Sequence, residues 1–343
     1  MSGSFGALDT LPRVDLAHVP TPIERMPNLA AALDCAAELY VKRDDCTGLA
    51  LGGNKTRQLE YYFGEAARLG ADVALITGAV QSNFVRQAAA AARKLGMDCH
   101  VQLESRVPRN DATYETSGNV LLDYLLGATV HTYPEGEDEA GADRQLQVLA
   151  EELRRSGRRP YVIPLGPGHP PLGALGYVRM ARELLQQAEG MGIRFDEIVV
   201  ASGSGATHAG LLFGLRAGGS TAHVTGVCVR REAAAQADRI AHHCDAIATL
   251  LGCRNPVTAD DIVVTGHFLA PGYGRMGADA ERALLLAART EGLLLDPVYT
   301  AKAMAGFAEL ARNETARGRS LLFVHTGGQP ALFAYQSDLE HLR

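Results

Sequence analysis

Short, apolar, β-rich runs alternate with amphipathic helical stretches along most of this chain. That alternation restricts the fold to α/β layering around mostly parallel sheets. Residues 39–41, 73–76, 161–163, 197–200 and 321–324 are such runs. Between two of them, Leu146, Leu149, Ala150 and Leu153 share one helical face, with Arg144, Glu151 and Arg155 at intervening positions. Gly157 ends that helix and Pro160 precedes the next strand. A chain of 343 residues can bury two cores. Gly52-Gly53-Asn54 and the Gly/Pro-rich stretch 164–173 punctuate it most strongly. The expected layout is two open, twisted α/β domains with mostly parallel sheets. A small unit over residues 54–160 is inserted into a larger one made of 1–53 plus 161–343.

Several function classes drop out on charge and patterning. A formal charge of −6 gives no electrostatic reason to bind nucleic acid. No apolar run is long enough to span a bilayer, and the alanines at 88–92 are flanked by Arg86 and Arg93. The first ten residues lack the basic start and apolar stretch of a secretory signal. Six cysteines (35, 46, 99, 228, 244 and 253) are scattered with no Cys-x-x-Cys pair, which suits free thiols in the cytoplasm. His242, His243, Cys244 and Cys253 fit no zinc spacing, so no metal is expected. Small molecules are the expected partners.

Six clusters carry potential chemistry. In Gly52-Gly53-Asn54-Lys55, two glycines allow a tight turn and Asn54 is expected to cap the following helix. Lys55 then lies in the first helical turn, where the dipole disfavours a second positive charge and lowers the amine pKa. Gln81, Ser82 and Asn83 follow an apolar strand and open a helix that continues through Phe84, a placement suited to holding a carboxylate. Gly203, Ser204, Gly205, Ala206 and Thr207 form a small-residue strand-to-helix loop of the kind that holds phosphate. That loop has neither a dinucleotide fingerprint nor a Gly-Lys-Ser/Thr, and Ser204 is not in a Gly-x-Ser-x-Gly elbow. Tyr273 sits between glycines and Tyr299 at a helix start, both able to reach into a pocket. Finally, His325-Thr326-Gly327-Gly328 follows a strand end, where α/β sheets bind ligands. Each cluster alone also reads as an ordinary capped helix or packed turn.

In order, together with Lys42-Arg43-Asp44-Asp45, these clusters resemble the family of D-cysteine desulfhydrases and 1-aminocyclopropane-1-carboxylate (ACC) deaminases, within the tryptophan-synthase-β fold type. The resemblance runs from about Leu16 onward. It implies pyridoxal 5′-phosphate (PLP) in the cleft between the two domains, joined covalently to Lys55. It also implies that residues 203–207 cradle the phosphate, that Asn83 meets the ring hydroxyl, and that Ser82 with Asn83 and Phe84 receives the substrate carboxylate. Tyr273 and Tyr299 would face the reacting carbon, and a homodimer is implied.

Two positions speak to the branch. Where ACC deaminases carry Glu and Leu, this chain has Thr300 and Thr326. A hydroxyl rather than a carboxylate beside the pyridine nitrogen makes a weaker electron sink, suited to expelling a good β-leaving group. The expected reaction is a D-cysteine desulfhydrase-like elimination to pyruvate, ammonia and sulfide. In it the freed Lys55 takes the Cα proton and Tyr299 or Ser82 assists the leaving group. L-Cysteate sulfo-lyase, with Arg275 as a candidate sulfonate partner, ACC deaminase and a non-catalytic PLP or amino-acid binder are the alternatives. Two departures bear on substrate. Phe84 stands where relatives have His, and Gly166-Pro167-Gly168-His169-Pro170 replaces a Gly-Gly-Ser segment. Phe84 either enters the pocket or packs behind its helix.

Overall fold

The computed structural model describes residues 3–109, 111–136, 138–164 and 169–342. The residues Gly166, Pro167 and Gly168 of the second departure lie outside that set. The strands are β1 (Ile23–Arg25), β2 (Glu38–Lys42), β3 (Val73–Ala79), β4 (Asp98–Glu104), β5 (Thr129–Tyr133), β6 (Pro160–Ile163), β7 (Glu197–Ser202), β8 (His223–Cys228), β9 (Val263–Thr265) and β10 (Ser320–Val324). They form a six-stranded sheet ordered β1-β2-β10-β7-β8-β9 and a four-stranded sheet ordered β5-β4-β3-β6. Every pairing is parallel except β1 with β2. The architecture is the α/β fold with two parallel sheets that the alternation requires.

The five runs picked out above are β2, β3, β6, β7 and β10. β3 and β7 are buried along their whole length, as central strands covered on both faces must be. β4 was not anticipated because His100, Gln102 and Glu104 alternate with its apolar residues. Gln102 and Glu104 are nevertheless fully buried. Gln102 Nε2 donates to Thr77 Oγ1 at 3.1 Å and to Ala142 O at 2.9 Å, and Glu104 receives two bonds from Arg106. Polar side chains that find partners this way enter a core without leaving an apolar signature.

The Lys42-Arg43-Asp44-Asp45 cluster anchors the helix Asn54–Arg68. Arg57 Nε and Nη2 each reach Asp44 at 2.9 Å, while Nη1 and Nη2 reach Glu183 at the same distance. Lys42 Nζ joins from below, 2.6 Å from both Glu183 Oε1 and Gln187 Oε1. Tyr177 Oη closes the network on Asp44 at 2.6 Å. This fixes the helix against Leu172–Met191 and thereby aims its first turn. The ends of β3, β7, β8 and β10 feed the loops that follow them into one cleft, the edge where parallel sheets present ligand sites. Among the described residues no helix is long and apolar enough to cross a membrane.

Candidate active site

The turn before Lys55 is built from backbone that only glycine adopts readily. Gly52 has φ +66, and a Cβ there would stand 2.0 Å from Asp45 O. Gly52 O accepts Arg86 Nη2 at 2.9 Å and Gln87 Nε2 at 2.6 Å. The cap position of the next helix falls on Gly53, with φ 119, and not on Asn54 as expected. Asn54 is the first helical residue, and its side chain donates across the cleft to Thr207 Oγ1 at 2.8 Å. Lys55 faces the cleft floor with Gln58 Oε1 3.3 Å from its Nζ and the Phe84 ring centroid 5.0 Å away. Its pKa is lowered to about 8. The direction matches the expectation, but the cause is loss of solvent around the ammonium with no carboxylate to compensate it.

Ser82 is the N-cap of the helix Asn83–Lys94, accepting Val85 N at 3.3 Å, and it lines the same cleft. Its hydroxyl proton remains available to an anion. Asn83 Oδ1 is occupied by Asn119 Nδ2 at 3.0 Å. That bond leaves the Asn83 amide to act as a donor. Asn119 was missed in the sequence because nothing in its local pattern points 36 residues back to Asn83. Phe84 lines the cleft rather than lying hidden behind its helix, and its ring packs on Tyr62 at 6.1 Å.

Across the cleft, Gly205 (φ 94) caps the helix Ala206–Ala217, whose first N–H groups have no intrahelical acceptor. A Cβ on Gly205 would lie 2.8 Å from His243 Cδ2, so the loop admits no side chain there. Thr207 Oγ1 accepts from both Asn54 and Gln58 at 2.8 Å, which turns its own proton elsewhere. Arg231 Nη1 and Arg239 Nε hold the carbonyls of Gly203 (3.1 Å) and Ser204 (2.8 Å). With its carbonyls held this way, the loop can present N–H groups to the cavity.

Tyr273 and Tyr299 meet at the third wall, their hydroxyls 2.7 Å apart. Burial, then the neighbouring Tyr273, pushes the Tyr299 phenol well above its usual pKa, so it is a proton donor at neutral pH. Thr326 lines the cleft, but Thr300 does not. The Thr300 hydroxyl bonds to Asp296 Oδ1 at 2.7 Å and accepts Asp296 N at the same distance. This corrects the pairing of Thr300 with Thr326 as ring-nitrogen partners, because the Thr300 side chain is consumed in fixing the helix start. Arg275 is exposed and does not line the cleft either. Arg106, Arg230, Arg231 and Arg239 line it instead, with Glu139, whose Oε1 lies 2.7 Å from Arg230 Nη1 and 3.3 Å from Arg231 Nη2. These residues escaped the sequence reading because no motif carries them. The cleft encloses about 970 Å³ of non-protein space that opens to solvent, within the range of small-ligand sites. Among the described residues no group of three or more His, Cys, Asp or Glu could hold a metal.

A partly desolvated amine, a bare helix start with a glycine loop and a phenol pair, set between two parallel sheets, define an enzyme that works through a phosphate-bearing carbonyl cofactor. The chain belongs to the pyridoxal-phosphate dependent enzyme family, whose model matches residues 14–327. It is 44% identical over 333 residues to a D-cysteine desulfhydrase of Yersinia pestis (strain Pestoides F), covering 97% of this chain and 98% of that one. A D-cysteine desulfhydrase of Klebsiella pneumoniae (strain 342) is 43% identical over 337 residues, covering 98% and 100%. A crystal structure described as an ACC deaminase homologue superposes with TM-score 0.88 at 37% identity over the whole of both chains. The protein is thus a PLP-dependent lyase or deaminase. Its cleft fits the cofactor, because the Thr207 proton, the bare N–H groups and the side-chain-free Gly205 suit a phosphate while Lys55 supplies the amine.

Proposed function

We propose that this enzyme is a D-cysteine desulfhydrase, converting D-cysteine and water to pyruvate, ammonia and sulfide. The observation that carries the reading is the single cleft in which Lys55, the Ser82/Asn83 helix start, the 203–207 loop and the Tyr273–Tyr299 pair come together. The names of the 43–44% identical relatives supply the substrate.

Lys55 would hold PLP covalently, with Asn83 at the ring hydroxyl, Gly203, Ser204, Gly205, Ala206 and Thr207 at the phosphate and Thr326 toward the ring nitrogen. When bound, PLP accepts the electron pair left at Cα. The chain's own groups do the rest. The N–H groups at the start of the Asn83–Lys94 helix and the Ser82 hydroxyl hold the carboxylate. The Lys55 amine, released from covalent duty and poised near neutral pH by burial, removes the Cα proton. Tyr299, a neutral phenol backed by Tyr273, donates to the departing sulfur as the Cβ–S bond breaks and the Cα–Cβ double bond forms. Phe84 lines the pocket with apolar surface beside Lys55. The released aminoacrylate takes up water and falls apart to pyruvate and ammonia.

A second reading, L-cysteate sulfo-lyase, is favoured by the arginines at positions 106 and 230 on the tyrosine side of the cleft, since Arg230 lies 5.7 Å from the Tyr273 ring centroid. We further propose a homodimer in the cytoplasm, each chain having a smaller unit inserted into a larger one, with the boundary expected at residues 160/161 falling inside β6 (Pro160–Ile163), which pairs with β3 of the smaller sheet. The six free cysteines suit a reducing compartment. The decisive assay supplies D-cysteine, L-cysteate and ACC in parallel to the PLP-loaded enzyme. Pyruvate with sulfide from D-cysteine is the expected result. Pyruvate with sulfite from L-cysteate moves the substrate to the second reading, and 2-oxobutyrate from ACC overturns both.

A further inference from the structure

Lys302 lies three residues beyond Tyr299, in the first turn of the helix Thr300–Arg312, and is 1% exposed. Its Nζ donates to two carbonyls of a distant turn, Leu269 O and Gly272 O, each at 2.8 Å. Both carbonyls already accept one backbone bond, from Gly272 N at 2.9 Å and Arg275 N at 3.4 Å. The turn they close carries Tyr273 between Gly272 (φ 122) and Gly274 (φ 70). From its other side, Tyr335 Oη holds Gly274 O at 2.6 Å. The segment belongs to no helix or strand, so these side chains supply the restraint that a ladder of backbone bonds would otherwise provide. The start of the lysine's own helix is fixed in turn by Asp296, whose carboxylate accepts the N–H groups of Val298, Tyr299 and Thr300, each at 2.9 Å.

A buried lysine is a poor choice if packing were its only task. Methionine fills similar volume without burying a charge, and burial here lowers the Lys302 pKa to about 8. What a methionine cannot do is bind two carbonyls 30 and 33 residues away in sequence.

We infer that Lys302 is a positioning residue for the reaction, holding the turn of Tyr273 in register with Tyr299 so that the two phenols act on the substrate as one unit. This rests on the reading that both tyrosines face the reacting carbon. One helical turn thereby sets the place of both, Tyr299 through the chain and Tyr273 through the ammonium.

The test is a double-mutant cycle on the PLP-loaded enzyme with Lys302→Met, Tyr273→Phe and the double variant, using whichever of D-cysteine and L-cysteate the wild type turns over. Each single change should lower kcat by about 100-fold, with the cofactor absorption band retained. The double variant should match Tyr273→Phe within about 3-fold, because a residue that acts through another adds nothing once that partner's hydroxyl is gone. Amide hydrogen exchange should accelerate over residues 269–274 in the lysine variant. If Lys302→Met does not fold, Lys302→Gln, which keeps a donor for one carbonyl, is carried through the same cycle. Losses that multiply to about 10⁴-fold overturn the inference while leaving the tyrosine reading intact. Full activity in Tyr273→Phe overturns both.

Discussion

Lys55 and Arg57 stand two residues apart in one helical turn, and their surroundings make opposite uses of a positive charge. Arg57 is 3% exposed, and burial alone would depress its pKa, yet the carboxylates of Asp44 and Glu183 more than offset the burial and raise it. Lys55 has a single amide oxygen at 3.3 Å and no carboxylate, so burial prevails and its pKa falls to about 8. A desolvated cation supplied with counter-ions becomes a fastener. Left without them, it becomes an amine ready to react. The same contrast explains why both residues belong to one sequence motif, since the fastener aims the turn that carries the amine.

The largest effect is expected at Lys55. Lys55→Met should lower pyruvate formation by at least about 10³-fold and remove the cofactor's lysine-linked absorption. The apoprotein should nonetheless unfold at no lower urea concentration than the wild type, because an uncompensated charge has been removed. A large loss of stability would show that Lys55 too is structural. Arg57→Met should do the reverse. Leaving the buried Asp44 and half-buried Glu183 without their shared guanidinium should cost about 3–5 kcal/mol in urea unfolding, with activity falling chiefly through loss of folded protein. The mildest test is pH. The folded Lys55 gives up its proton near pH 8, below the 10.5 of an ordinary lysine, so between these values the unfolded state binds more protons. Stability therefore rises with pH across that window, and the burial penalty is fully present below it. Apo wild type should gain on apo Lys55→Met between pH 8 and 10 in parallel urea titrations, whereas a flat difference would mean that Lys55 stays charged.

How much of this was legible in the sequence depended on whether the cause was local. Strands such as β3 and β7 announce themselves because every residue is buried and apolar residues predominate. The Gly52–Gly53 turn is legible because only glycine tolerates its backbone, and the Ser82 cap because a hydroxyl at that position satisfies a helix start. Asn54 misled for an instructive reason. Its composition suits a cap, but Gly53 already takes that place with φ 119, which frees the amide to reach Thr207. Thr300 misled likewise, because its partner, the Asp296 carboxylate, lies within its own turn and captures the hydroxyl before the cleft can. Asn119, the cleft arginines and Lys302 depend on contacts across 28 to 36 residues or more, and no periodicity encodes those.

The position of β10 has a consequence for the order in which the protein comes into being. It lies between β2 and β7, pairing Leu322 with Tyr40, and just beyond it Thr326 O accepts Asn54 N at 2.9 Å. During synthesis the strands of the four-stranded sheet have all emerged once residue 163 is clear of the ribosome. The larger sheet waits longer: β2, which ends at Lys42, stays unpaired on that side until β10 begins at Ser320. The turn that carries Lys55 acquires its last backbone bond only after that closure. A nascent chain therefore holds Lys55 in an unfinished site until translation has passed residue 326.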